Sequence, residues 1–183
     1  GLPWQFSKPP AKIDLKVPIP GEDTEEIMAN GFDQNTLNQN PKSPTENPEL
    51  PLKEITVIDA TQGVTGPFLG LLTAEAGATV IKIEPPEGDW SRKLAPETST
   101  GNSALYESFN RNKKSITIDL ETKDGQSKLR EIIKKADVLI EDWGPDAAEK
   151  RNLGYQQLCV DNPKLIYLAL SPFGEKGPLR DRP

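Results

Sequence analysis

The sequence predicts an α/β protein, a parallel sheet covered by helices, and three observations carry that prediction. Short β-branched runs recur at 55–60, 79–84, 116–120, 138–142 and 165–170. Segments with helical stripes or helical start and stop residues lie between them. The last run, "KLIYLALS", is apolar nearly throughout, as a strand buried on both faces requires. Strand alternating with helix is the mark of a parallel sheet, because parallel neighbours need a crossover long enough to hold a helix.

Taken in order, "GEDTEEIMAN" (21–30) predicts a short helix beginning near Asp23 or Thr24, with acids in its first turn and Asn30-Gly31 at its end. "NQNPKSPTENPELP" has linker composition and predicts neither helix nor strand. Residues 1–50, which hold 8 of the 18 prolines, are expected to run mostly extended along or away from the sheet. "EITVIDA" and "ATVIKIE" are strands. Between them "GPFLGLLTAEAG" places Pro67 at a first helical position and Gly77 at a helix end, which makes a β-α-β unit. "SITIDL" alternates Ile116, Ile118 and Leu120 with Thr117 and Asp119, and the helix after it puts Leu129, Ile132, Ile133 and Ala136 on one stripe. "DVLIED" is the next strand, a helical region spans about Pro145 to Cys159, and "KLIYLALS" closes the sheet.

Composition narrows the function. With 22 Lys plus Arg against 28 Asp plus Glu, the net charge of -6 argues against a general nucleic-acid surface. No run approaches the ~18 apolar residues of a membrane helix. The stretch "GLPWQFSKPP" lacks the regions of a signal peptide, so a soluble, cytoplasmic protein is expected. The single Cys159 fits a reducing compartment and reads as a small apolar residue near a helix end. The absence of histidine excludes Ser-His and Cys-His nucleophile pairs and His-based metal sites; no metal is expected.

In a parallel α/β sheet, ligands lie beyond the carboxyl ends of the strands, where three loops are informative. "TQGVTGP" (61–67) offers backbone amides at a helix start to a carbonyl or a phosphate. Its glycines make neither a dinucleotide fingerprint nor a Walker loop. "EPPEGDWSRK" (84–93) is a stiff exit with Asp89, Arg92 and Lys93, readable as a rigid turn with a surface ion pair. "EDWGPDAAEK" (141–150) puts Trp143 at a strand end, able to stack on a flat ring or to cap the core. "FNRNKKSITIDL" adds Arg111, Lys113 and Lys114 beside a strand, either an anion site or a solvated run protecting a sheet edge.

The ordered strings "VIDATQGVTGPFLGLLTAEAGATVIKIEPPEGDWSR", "FNRNKKSITIDL", "ADVLIEDWGPDAAEKRNLGYQQL" and "NPKLIYLALSPFGEKGPLRDRP" resemble the class III CoA-transferases, a superfamily that includes formyl-CoA and carnitine CoA-transferases and α-methylacyl-CoA racemase. The resemblance implies that 52–183 is an incomplete, Rossmann-like N-terminal part of a module, which binds coenzyme A as substrate and carrier. It implies CoA contacts at Val64 and Thr65 near the thioester, at Ile118, Asp119, Leu120 and Glu121 and at Asp142, Trp143 and Gly144 around the adenosine, and at Lys150 on a phosphate. Pro85 falls where formyl-CoA transferase has an arginine, Glu121 replaces a frequent lysine and Asp142 a frequent asparagine. The extra carboxylates would be offset by Lys113, Lys150, Arg151 or Arg182. "LPWQFSKPPAKIDLKVPIPGEDTEEIMANGF" resembles the family's closing segment, with Asp23 in place of a usual histidine. That implies 1–40 as the C-terminal tail of a preceding module, 41–51 as a linker, and an internal fragment of a tandem parent.

For the family's reaction the resemblance implies an acyl-CoA and a carboxylate acceptor, an interlocked homodimer or tandem pseudo-dimer, and a nucleophilic aspartate expected beyond Pro183. Asp59 is read as a strand-end residue holding the "TQGVTGP" loop, Asp89 as a turn acid and Asp119 as an outward strand residue. Two other readings stay open: an acyl-CoA racemase or isomerase on the same scaffold, and a noncatalytic module kept for assembly.

Overall fold

The computed structural model describes residues 17–30 and 50–182. Helix α1 covers Thr24–Asn30, as its acidic first turn predicts. The expectations for 1–16 and 31–49, including most of the linker, lie outside the described residues. From Thr56 the chain alternates: β1 Thr56–Ala60, α2 Thr65–Glu75, β2 Thr79–Glu84, a 3₁₀ turn at Trp90–Lys93, α3 Ala104–Asn110, β3 Lys113–Thr117, α4 Lys123–Ile133, β4 Val138–Glu141, α5 Ala147–Lys150, α6 Tyr155–Asp161 and β5 Ile166–Ala169.

The five strands are all parallel in the order β3-β2-β1-β4-β5. The order reverses beside β1, which opens a crevice at the carboxyl ends of β1 and its neighbours. Apolar side chains fill both faces. One cluster joins Ile58, Ile81, Ile116, Leu139 and the α4 stripe Leu129, Ile132 and Ile133, with Ala136 buried just past the helix end. The other joins Val57, Val80 and Ile140 with Ala74 of α2. Among the described residues no helix is long and apolar enough to cross a membrane.

Four expectations need correction. β3 starts at Lys113 and ends at Thr117, so Ile118 to Glu121 follow the strand instead of forming its end. A lysine can open the strand because its ammonium is received by Asp59 inside the fold. β5 is not buried on both faces: it lies at the end of the sheet, and Ile166 and Leu168 are 63% and 37% exposed. The helical region from Pro145 breaks into α5 and α6, since Asn152 has φ 56° and Gly154 begins a new helix. Pro67 is the third residue of α2, which begins at Thr65.

Residues 17–30 lie along the sheet instead of leaving it. The Asp23 amide donates to the Ser115 carbonyl at 3.1 Å, and the Ser115 amide donates to Asp23 Oδ2 at 2.9 Å. Ile27, 1% exposed, joins the larger core cluster.

Candidate functional site

The carboxyl ends of β1 and β2 carry charge into the interior. The register sets Asp59 beside Lys82, so two charged residues face each other in the middle of a sheet that water does not reach. Lys113 Nζ holds Asp59 Oδ2 at 2.8 Å and also donates to the Pro67 carbonyl and Asn110 Oδ1. Lys82 Nζ meets Asp89 Oδ2 at 3.0 Å and donates to the Thr61 carbonyl at 2.7 Å. Burial alone would raise the Asp59 carboxyl, but the Lys113 and then the Lys82 charge hold it down at about 2.

These pairs tie the loops together. The Asp59 carboxylate accepts the Thr61 amide and hydroxyl, which holds the start of the 61–67 loop as expected. Asp89 is more than a turn acid: both its oxygens take the Gly63 amide, and Oδ1 takes the amide and hydroxyl of Ser91. Gly70 must lack a side chain, because a Cβ there would lie 2.7 Å from Asp59 Oδ2 and 3.0 Å from Lys113 Nζ. The pair expected on the surface of 84–93 is instead internal: Arg92 Nε holds Glu84 Oε2 at 2.7 Å, with Glu84 fully buried. Arg92 also stacks 3.7 Å over the ring of Tyr106.

Across the sheet from this cluster, on the face of Ala60, Ile83 and Ile118, lies a pocket of about 330 Å³. Its apolar walls are Ile83, Pro85, Pro86, Ile118, Leu120 and Trp143, and its polar ones Gln62, Glu87, Asp119, Glu121 and Arg151. Trp143 packs on the core cluster and also lines the pocket, with Arg151 5.8 Å from its ring centre, so it caps the core while leaving part of its surface to the pocket. Arg151 Nη2 pairs with Glu121 Oε1 at 2.7 Å. Beside the pocket, Asp142 Oδ2 accepts the Gln62 amide at 2.9 Å. Burial lifts the Asp142 carboxyl to about 6, against that hydrogen bond and the Lys82 charge.

Of the residues singled out in the sequence, Pro85, Ile118, Asp119, Leu120, Glu121 and Trp143 converge on this pocket. Val64 and Thr65 stand apart at the start of α2, where no side chain caps the helix and Val64 is 42% exposed. Gly144 turns the chain after Trp143 with φ 86°. Lys150 and Arg182 are exposed and do not line it. The cation cluster of "FNRNKKSITIDL" is not an open anion site: Lys113 is spent on Asp59, and Arg111 pairs with Glu75. Gln62 and Glu87 were missed because nothing in their local pattern marks them. The buried lysines did leave a signal, Lys82 standing alone in "TVIKIE" across from Asp59 in "ITVIDA".

Residues 52–183 match the model of CoA-transferase family III. The chain is 38% identical over 139 residues to succinyl-CoA–D-citramalate CoA-transferase of Chloroflexus aurantiacus, which covers 75% of this chain and 35% of that protein. It is 41% identical over 135 residues to the succinyl-CoA–L-malate CoA-transferase beta subunit of the same organism, covering 73% of this chain and 33% of that protein. Among solved structures, Rv3272 from M. tuberculosis superposes with a TM-score of 0.69 at 38% identity, over 75% of this chain and 39% of the other. The chain spans about a third of the length of the curated relatives it matches.

Proposed function

The chain belongs to CoA-transferase family III, and from that premise we propose that it forms the CoA-binding portion of an acyl-CoA:carboxylate CoA-transferase. One observation carries the reading. Five of the seven residues assigned to the adenosine by resemblance, Ile118 to Glu121 and Trp143, come from separate loops and meet in one pocket at the carboxyl ends of the sheet, with Asp142 and Gly144 outside its lining. Trp143 and Pro85-Pro86 offer flat apolar surfaces to a base, while Arg151 is the cation on the wall nearest to a phosphate role. The uncapped start of α2, with Val64 and Thr65, is assigned to the thioester end, where helix amides would stabilise an oxyanion.

In this reaction a carboxylate oxygen attacks the thioester carbon and the C–S bond breaks, leaving a mixed anhydride and CoA thiolate. The thiolate then attacks the enzyme's acyl carbon, releasing the donor acid and forming an enzyme thioester, from which the acceptor acid takes CoA by the same two exchanges in reverse. An activated aspartyl group keeps the thioester's energy through every exchange. We assign the nucleophile to sequence beyond residue 183. Asp59 and Asp89 are buried and ion-paired, so neither is set out as a nucleophile, and Asp119, which lines the pocket, is assigned by resemblance to the adenosine end and not to the thioester. The interlocked or tandem partner module, and residues 1–40 as the tail of a preceding one, belong to the same proposal.

Incubation with acyl-CoA and hydroxylamine checks the assignment, because hydroxylamine converts an activated aspartyl group to a hydroxamate that peptide mass detects. No hydroxamate is expected within residues 52–183, and one is expected in a chain extended past Pro183. Labelling of Asp59, Asp89, Asp119 or Asp142 would overturn it. Quenching of tryptophan fluorescence on titration with CoA is the companion test of the pocket.

A further inference from the structure

We propose that residues 18–27 act as a clasp that positions two walls of the pocket, the turn 85–89 and the stretch 118–121, so that docking of this segment and ligand binding are linked. The linkage rests on the pocket being the ligand site; the clasp itself does not.

β3 is an edge strand, and an edge strand leaves every second residue with its N–H and C=O turned away from the sheet. Ser115 and Thr117 are such residues. The segment satisfies both: Asp23 takes and gives the backbone bonds of Ser115, and Thr24 Oγ1 receives the Thr117 amide at 3.0 Å. Covering an edge would need no more than this. Gly21 goes further, with φ 69° and so little room that a Cβ would lie 2.6 Å from Thr117 Oγ1. Its amide donates to Ser115 Oγ at 3.1 Å. Buried Pro18 offers its carbonyl to Arg92 Nη2 at 3.1 Å, and Ile27 fills the core beneath.

From these anchors a continuous polar chain runs to the pocket. Ser115 Oγ donates to Glu84 Oε1 at 2.6 Å, which also receives Arg92 Nη2 at 2.8 Å and the Tyr106 hydroxyl at 3.1 Å. Glu84 Oε2 receives the Asp89 amide at 3.0 Å, so this one carboxylate closes the turn that carries Pro85, Pro86 and Glu87 into the pocket. Asp89 passes the connection to Gly63 in the β1 loop. On the other wall, Thr117 immediately precedes Ile118, whose amide is held by the Glu84 carbonyl at 2.9 Å. If the segment leaves, Ser115 Oγ loses the donor that orients it toward Glu84, Arg92 loses a carbonyl acceptor, and both walls lose a fixed end. By reciprocity, whatever the segment contributes to ligand affinity the ligand returns to docking.

The test is amide hydrogen exchange read by mass spectrometry on the whole chain, wild type against Gly21→Ala and Ile27→Asp, each with and without CoA. Expected in both variants is exchange at least tenfold faster across 84–92 and 115–121, with 56–60 and 138–141 keeping their protection. CoA should slow exchange of 17–30 in the wild type. Faster exchange confined to 17–30, no change in either variant, or a wild-type segment exchanging at the unprotected rate would each overturn the clasp. If Ile27→Asp loses protection everywhere it has unfolded, and Gly21→Ala decides. CoA that protects the pocket loops but leaves 17–30 unchanged would overturn the linkage. A wild type with no response to CoA would refute the CoA reading, and the clasp would then be judged on the ligand-free comparison.

Discussion

Across the sheet from the pocket, Lys82, Lys113, Asp59 and Asp89 are sealed from water and meet at 3.0 Å and 2.8 Å; on the pocket wall, Arg151 and Glu121 meet at 2.7 Å with 78% of the Glu121 side chain in solvent. The distances are alike and the consequences are not. A buried pair has surrendered its hydration, so removing one partner strands a charge where nothing else can solvate it. An exposed pair gives up little when it separates, because water takes over. The buried set therefore holds the loops in place. The exposed pair is free to exchange partners with a ligand.

The sharpest way to break the comparison is to strand a charge. Lys113→Met should destabilise the chain by about 3–5 kcal/mol, because Asp59, the Pro67 carbonyl and Asn110 all lose the ammonium they share. Chemical denaturation would measure it. A loss below about 1 kcal/mol would mean that water reaches Asp59, and the distinction between buried and exposed pairs would fail.

This contrast also marks how far the sequence could be read. The strands at 79–84 and 138–141, the stripe through Leu129, Ile132 and Ile133, and the place of Trp143 at a strand end were legible, because hydrophobic period and strand-end position are local properties, whereas the grouping of 118–121 with Trp143 came only from the family resemblance. Partner choice is not local. Lys113 looks like its neighbour Lys114 in the sequence, yet it alone opens the buried side of β3, where a carboxylate from 54 positions earlier waits. The same limit misread β5, since a strand's place at a sheet edge depends on its neighbours and not on its own apolar run. The docking of 17–30 was hidden for a like reason: Gly21, Asp23 and Thr24 read as an ordinary helix start, and only the register with Ser115 and Thr117 shows what else they do.

Asp142 stands between the two sets and makes the comparison depend on pH. Its folded carboxyl is raised to about 6, above the unfolded value of about 3.9. A raised acid binds its proton more tightly when folded, so its penalty is absent below pH 4, grows as pH rises through 4 to 6, and is full above that. A shift of two units corresponds to roughly 2.7 kcal/mol, cut to about 1–2 kcal/mol for a group still in contact with water. Asp142→Asn keeps an oxygen for the Gln62 amide. It should raise stability at pH 7 by that amount and leave it unchanged at pH 4. An equal gain at both pH values would trace the effect to packing and not to ionisation.

The smallest effects belong to the exposed cations, and they separate two candidate phosphate contacts. Arg151 lies on the pocket wall but is engaged by Glu121, so a phosphate must compete for it. Arg151→Ala should weaken CoA binding roughly fivefold, less than a desolvated charge-assisted bond would give, because Glu121 is relieved of its partner at the same time. Lys150, exposed in the last turn of α5, is assigned by resemblance to a phosphate and reaches it through water-rich surroundings, so Lys150→Ala should cost about twofold. Titrations with CoA and with its 3′-dephosphorylated analogue divide the roles. A residue that meets the 3′-phosphate loses its effect with the analogue, whereas one that meets the pyrophosphate or the base keeps it. Equal affinities of wild type and Lys150→Ala for CoA would remove Lys150 from the site and leave Arg151 as the cation that the pocket itself supplies.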